Sequence, residues 1–557
     1  MRKKCIKKAL AVFLMGVMVL GMTGCGKKQE ESSVNSQVTN VPETSSNSNA
    51  STTITPAKDD KIVYPLQEED TLTIWSSNQL VPSDEYQSWE ESPFHTGLEK
   101  RTGVKVEWQY PTKGSDVAQA YNLLLTEDEL PNMIFNTYSS GDASTLLSDG
   151  VIVDLTEYLP KYAPDFWEYI NRPENEIELK SIKTDDGKIC FIPAMRETTY
   201  NLTWVGPAIR QDWLDECKLE TPVTLEDWEN VLEIFKENYD ACLGFRLSYM
   251  GMPGIGSGTG TYATQNATFY VDDNGKIQFA QMQPEWKEYI ETLNRWYEKG
   301  LIDKDFLTMD DEAIRTKVLN NKIGISITAL SQISNWSADA EAAGSEANWV
   351  GLGYPRTSVG EPTCYINSAA SRANNYAIVV TTSCTEEEIA TALRWLNYGY
   401  TEEGIMYWNY GEEGLSYELD ENGNPKWTDL ITQDPLGINR AVEKYIGAYG
   451  AAPTIQLSNL VAMKNSENSA NAVYAWVENT EVGKHYVPNT SFTEEEKTIF
   501  YDKYIPINTY ISEMTLKFIV GEESIDNFDS FVKKLEEMGI KDCLEIKQVS
   551  YERFMSK

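Results

Sequence analysis

Residues 93–136 read PFHTGLEKRTGVKVEWQYPTKGSDVAQAYNLLLTEDELPNMIFN, and their periodicity decides the fold. Pro93 to Lys100 has helical spacing and stops at Thr102-Gly103. Val104-Lys105-Val106-Glu107-Trp108 then alternates apolar and polar, as a half-buried strand does. Ala118 to Leu125 returns to the helical pattern, and Pro131-Asn132-Met133-Ile134-Phe135 is a short apolar run suited to a buried strand. Upstream, Thr71-Leu72-Thr73-Ile74-Trp75 is another β-rich run, followed by a polar loop containing Asn78. Strand, helix, strand, helix, strand is the order that parallel neighbours require, because a crossover must carry the chain back to the edge it started from. The segment predicts an α/β fold.

At 557 residues the chain exceeds what one hydrophobic core supports, since single cores stop growing near about 250–300 residues, so two lobes are expected. A formal charge of -37 argues against nucleic acid as a partner, because phosphate tracking needs clustered Lys and Arg. The eight cysteines, at 5, 25, 190, 217, 242, 364, 384 and 543, form no CxxC pair, and the two histidines, His95 and His485, lie in no HExxH or triad context. No metal, cofactor or catalytic residue is therefore expected. The glycine-rich run Gly254 to Gly260 lacks the Lys-Ser/Thr ending of a phosphate loop and is read as a mobile loop edging a cleft. Asp272-Asp273-Asn274-Gly275 and Asp420-Glu421-Asn422-Gly423-Asn424 misplace the glycine of a calcium loop and are read as hairpin turns.

The N-terminus carries an address. MRKKCIKK is basic and Ala9 to Met22 is apolar, too short for a comfortable membrane span. Met22-Thr23-Gly24-Cys25 resembles the lipobox of bacterial lipoproteins, so residues 1–24 are read as a signal peptide and Cys25 as the lipidated first residue. Residues 25–65 are rich in Ser, Thr, Asn and Pro and too poor in large apolar side chains to offset the entropy of folding; they are read as a tether. The lipid alone would hold the protein to the outer face of the cell membrane.

FHTGLEKRTGVKVEWQYP and AYNLLLTEDELPNMIFN resemble the opening of the extracellular solute-binding proteins of sugar ABC importers (family 1, the long lipoprotein subgroup). The resemblance continues through DGVIVDLTEYLPKYAPDFWEYI (149–170), IRQDWLDECKLETPVTLEDWENVLEIFKE (209–237) and RWLNYGYTEEGIMYWNYGEEGLSYELDENGNPKW (394–427) to the C-terminal helices. Asn132 departs from it, standing where the subgroup has Asp. Within 209–237, Thr224 reads as a helix N-cap with Asp227 three residues on. The resemblance implies a two-lobed periplasmic-binding-protein-like α/β fold with a hinge and an interlobe cleft. One lobe is placed at 66–177 with 363–404, the other at 178–362 with 405–557. It implies a monomer that captures an oligosaccharide, delivers it to ABC transporter permease subunits and catalyses nothing. A binder of peptides or other polar solutes with the same fold stays open as an alternative, as does a surface enzyme that degrades glycans.

A neutral sugar presents C–H faces and hydroxyls, so its binder needs aromatic platforms and fixed polar groups in a concavity. In open α/β sheets such groups come from residues just past strand ends. That rule selects Asn78, Asn136 and Tyr138 in the first lobe, and Trp204, Tyr249 and Trp336 in the second. Trp408 and Tyr410 are added because the resembled family presents an aromatic to the sugar before the Gly411-Glu412-Glu413-Gly414 turn, and Arg210 with Asp212 as polar candidates. Trp286, Trp296 and Trp395 lie on amphipathic helical stretches and are assigned to the core.

Overall fold

The structure, a computed structural model, describes residues 61–67, 71–77, 88–112, 114–198, 203–247, 254–263, 266–363, 371–435, 437–448, 453–478 and 484–557, which belong to one unit, Lys61–Lys557. The signal peptide, Cys25 and most of the tether fall outside the described residues. The chain first lays down β1 (Thr71–Ser76), β2 (Lys105–Gln109), β3 (Met133–Thr137) and β4 (Ile192–Arg196). It continues with β5 (Val205–Arg210), β6 (Cys242–Phe245), β7 (Phe269–Val271), β8 (Ile277–Phe279), β9 (Ile323–Ala329) and β10 (Trp349–Gly351). Last come β11 (Ala373–Val380), β12 (Tyr417–Leu419), β13 (Pro425–Trp427) and β14 (Ile455–Gln456).

The parallel reading of the opening segment holds. β1 pairs parallel with both β2 and β3, and the crossovers contain the helices Pro93–Thr102 and Val117–Leu124. The first helix stops at Gly103, which takes a φ of 77° that a side chain would resist. The full sheet runs β14-β4-β11-β3-β1-β2, with β11 alone antiparallel to its neighbours. A second sheet runs β10-β5-β9-β6. β7–β8 and β12–β13 are antiparallel hairpins, so both acidic strings are turns, their Asp272 and Asp420 carboxylates accepting backbone N–H groups two and four residues on.

Each sheet owns a core. One is built on Leu72, Ile74, Ile134, Ile192, Ile378, Leu393, Trp408 and Ile455; the other on Ile209, Trp228, Leu243, Ile325, Trp336, Trp349, Trp476 and Phe518. Trp286, Trp296 and Trp395 are buried as assigned. The boundaries read from sequence need correction. The stretch 178–198 adds β4 to the first sheet, and 405–460 packs into the first core through Tyr407, Trp408, Val442 and Leu460. The chain passes between lobes three times, after β4, before β11 and between the helices Ser458–Met463 and Glu467–Val477. Gly206 lets Trp476 of the last crossing pack directly on β5, since a Cβ there would lie 2.3 Å from the indole.

Local devices behave as their residue types require. Thr224 with Asp227 and Thr385 with Glu388 form capping boxes at the helices Leu225–Tyr239 and Glu386–Tyr398. Asn132 is structural: its Oδ1 accepts from the Thr73 amide (2.8 Å) and hydroxyl (3.0 Å), and its Nδ2 donates to Glu388 (3.2 Å). The glycine-rich run is not a loose loop. Ile255–Thr259 is a buried 3₁₀ turn held by Ser257 to Gly254 and Pro355 carbonyls and by Thr259 to the Glu285 carbonyl. Its glycines serve close packing; a Cβ on Gly258 would meet Leu225 at 2.4 Å.

Candidate functional site

Because β1, β3 and β4 run in one direction, their C-terminal ends share an edge of the first sheet, together with the start of the opposed β11. In the second sheet the start of β5 shares an edge with the C-terminal ends of β9 and β6. β4 ends at Arg196 on the first of these edges and β5 begins at Val205 on the second.

A cavity of about 240 Å³ opens there between the lobes. Tyr138, Ser139 and Ser140, just past β3, form one wall; Phe191, Arg196, Ser371 and Ala373, at β4 and β11, form another. Ile177, Ser181 and Ile182 of the helix Glu176–Ile182 line the floor, and Tyr486, Pro488 and Asn489 of the second lobe complete it. Beside it the lobes touch. Asp185 of the first lobe accepts from Ser491 (2.5 Å) and pairs with Arg553 (2.9 Å) and Lys557 (3.1 Å), while Lys180 donates to the Met555 carbonyl (2.8 Å).

The cavity mixes rings and polar groups. Tyr138 is 4% exposed, stacks near Phe191 (6.3 Å between ring centres) and lies beside Tyr121, and burial pushes its hydroxyl well above the usual phenol range. Ser139 caps the helix Ser140–Ser148 through a capping box with Asp142. Arg196 is half-buried, and burial lowers its pKa. Among the described residues no carboxylate lies within ion-pair distance of it. Burial holds His95 neutral, down at about 3, and pushes the Cys190 and Cys242 thiols up to about 12. Among the described residues no cluster of His, Cys, Asp or Glu could hold a metal ion.

The residues chosen from sequence divide. Tyr138 lines the cavity, and Asn136 stands two residues earlier on β3, beside Tyr121. Trp204, 42% exposed, begins the second lobe where its carbonyl accepts from Leu330. Asn78 and Tyr249 lie outside the described residues. The remaining choices lie outside the cavity lining. Trp336 is 2% exposed and packs on Trp349 with ring centres 4.8 Å apart. Trp408 packs on Phe94, and Tyr410 is enclosed with Tyr417 and Trp427. Arg210 and Asp212 form a two-point ion pair (2.8 and 2.6 Å), with Arg210 also donating to Asn321 and lying over Trp213, while Asp212 accepts from the Asn348 amide (3.1 Å).

Sequence reasoning passed over Arg196, Ser140 and Tyr486. Arg196 obeys the strand-end rule, closing the run FIPAMR, and could have been found by it. Tyr486 could not, because it comes from a connection near the C-terminus that only the fold carries to the gap.

Two α/β lobes, three crossings and a polar, ring-lined gap describe a protein that encloses a solute, and the comparisons agree. The profile of the bacterial extracellular solute-binding protein family matches residues 82–406, well over half of the chain. The fructooligosaccharide ABC transporter substrate-binding protein FusA of Streptococcus pneumoniae serotype 4 is 24% identical over 89% of this chain and 92% of its own. Lipoprotein LipO of Bacillus subtilis is 26% identical over 60% of this chain and 65% of its own. A solved HMO-binding solute-binding protein of Bifidobacterium longum infantis shares the fold, with a TM-score of 0.69 at 17% identity over 87% of this chain and 99% of its own. On the match over 82–406, with the architecture that accompanies it, the chain belongs to the bacterial extracellular solute-binding protein family.

Proposed function

We propose that the protein is a lipid-anchored, non-catalytic receptor that captures an oligosaccharide outside the cell and delivers it to the permease of an ABC transporter. The observation that carries this reading is the cavity at the strand-end edge of the first sheet, walled by Tyr138, Ser140 and Arg196 from that lobe and by Tyr486 from a connection of the other. A ligand touching both walls favours the closed arrangement over the open one, and the closed form is what a permease would distinguish. The oligosaccharide-binding name of FusA supports the ligand class, and the lipoprotein name of LipO supports anchorage at Cys25. Among the described residues no helix is long and apolar enough to cross a membrane.

The test is a thermal-shift screen of the purified protein, lacking residues 1–24, against a broad glycan panel, followed by calorimetry on the hits. A ligand at 100 times its Kd stabilises the folded state by about 2.7 kcal/mol, enough to move Tm by a few degrees in a chain of this size. Failure of every plant, microbial and host oligosaccharide to shift Tm would exclude sugar as the ligand class.

A further inference from the structure

The proposed function leaves one wall of the cavity unexplained. Arg196 ends β4 and lines the space, yet no carboxylate pairs with it among the described residues. This is unusual in a chain with 85 acidic residues and 48 basic ones, where most arginines find a partner: Arg210 has Asp212, Arg295 has Glu229, Arg315 has Asp339 and Arg372 has Glu178. A guanidinium drawn out of water without a counter-charge is costly and is kept where a ligand supplies the missing charge.

Two further side chains of the same wall are incomplete. Tyr138 and Ser140 are 4% and 1% exposed; the Ser140 hydroxyl has no hydrogen-bond partner among the described residues, and the Tyr138 hydroxyl has only the neighbouring Tyr121 hydroxyl. Ser140 also opens the nine-residue helix Ser140–Ser148, whose positive end faces this wall, although Asp142 already occupies part of it through the capping box. A neutral sugar would satisfy the hydroxyls and leave the guanidinium buried against an uncharged partner as the lobes close. A carboxylate satisfies both, because it accepts two parallel N–H bonds from arginine and further bonds from hydroxyls.

We propose, building on the oligosaccharide reading, that the cavity is a subsite for an acidic sugar, a uronate ring whose carboxylate pairs with Arg196. A volume of about 240 Å³ suits one ring and not a chain, so the remainder of the oligosaccharide extends along the gap. The strongly negative surface does not oppose this, because a guanidinium with no paired carboxylate among the described residues, within hydrogen-bond reach of the ligand, outweighs screened surface charge at physiological ionic strength.

The experiment uses the protein without residues 1–24 and calorimetric titration. Probes are acidic trisaccharides prepared from galacturonan, alginate and glucuronan, the methyl esters of each, and neutral kestose. The expected result is that at least one acidic trisaccharide binds roughly 10- to 100-fold more tightly than its ester, and that Arg196→Gln removes this preference by weakening the acid far more than the ester. Arg196→Lys restores part of it. The ligand-free Arg196→Gln protein keeps or raises its Tm, an outcome that a structural role for Arg196 would reverse. Equal binding of acid and ester, or binding of kestose alone, overturns the acidic subsite and leaves sugar capture standing. No binding by any acidic, esterified or neutral probe overturns both.

Discussion

At the scale of single residues, burial sets the chemistry. His95 is enclosed by Phe94 and Trp108, with its Nδ1 2.9 Å from the Ser92 hydroxyl, and burial depresses it to about 3. In the unfolded chain a histidine titrates near about 6.5. Between those values the unfolded state holds a proton that the folded state refuses, so this residue's contribution is retained above about pH 6.5 and is lost as pH falls toward about 3. His95→Asn should therefore show a smaller loss of urea stability between pH 7.5 and pH 4.5 than the parent, by about 1–2 kcal/mol; an identical loss would mean that His95 takes up its proton without unfolding. Burial alone does not separate the aromatic residues chosen for sugar contact, since Tyr138 and Trp408 are each 4% exposed; Tyr138 lines the cavity and Trp408 does not. Tyr138 and Trp408 both stand near strand or helix ends in sequence, but Trp408 meets Phe94 at 4.9 Å and Trp395 at 6.4 Å, which only the packing of distant helices reveals.

At the scale of elements, Asn132 shows how a polar side chain can replace a charge without becoming a ligand. It ties the entry of β3 to Thr73 of β1 and to the cap of the helix Glu386–Tyr398, where Glu388 also accepts from the Thr385 amide at 2.7 Å. Backbone hydrogen bonding at the cap lowers the Glu388 pKa. Asn132→Ala removes the acceptor for Thr73 and the donor to Glu388, and should lower unfolding free energy by about 2–3 kcal/mol in chemical denaturation, with sugar affinity unchanged. Affinity falling in parallel with stability would place Asn132 in the binding site after all. Caps and crossover helices were legible in sequence because both depend on neighbours three or four residues apart. The glycine-rich segment was misread for the opposite reason: its glycines answer to Leu225, Tyr289 and Tyr354, which approach from other elements.

At the scale of the whole molecule, the lobes are held together by three chain crossings and by the polar contact around Asp185. Ser491, Arg553 and Lys557 all converge on that one carboxylate, and Arg553 also pairs with Glu496 at 2.7 Å. Removing it should ease opening. Asp185→Ala is expected to weaken sugar binding about 3- to 10-fold, a cost of roughly 1 kcal/mol for partly exposed pairs, with small-angle scattering showing a larger radius of gyration without ligand. Scattering profiles that are identical for both proteins, with and without ligand, would show that Asp185 does not govern closure.

The sequence by itself determined the α/β order of the opening segment, the need for two cores, the helix caps and the hairpin turns, because each follows from chain length or from patterns a few residues wide. Folding alone settled that 405–460 packs into the first core, which rings line the cavity, and that Arg196 lines it with no carboxylate paired to it among the described residues. Those outcomes rest on β11 and β14 joining β3 and β4 across more than two hundred residues, and on a C-terminal connection bringing Tyr486 to the same space. The placement of these side chains is a property of such meetings, and the local pattern around them does not record it.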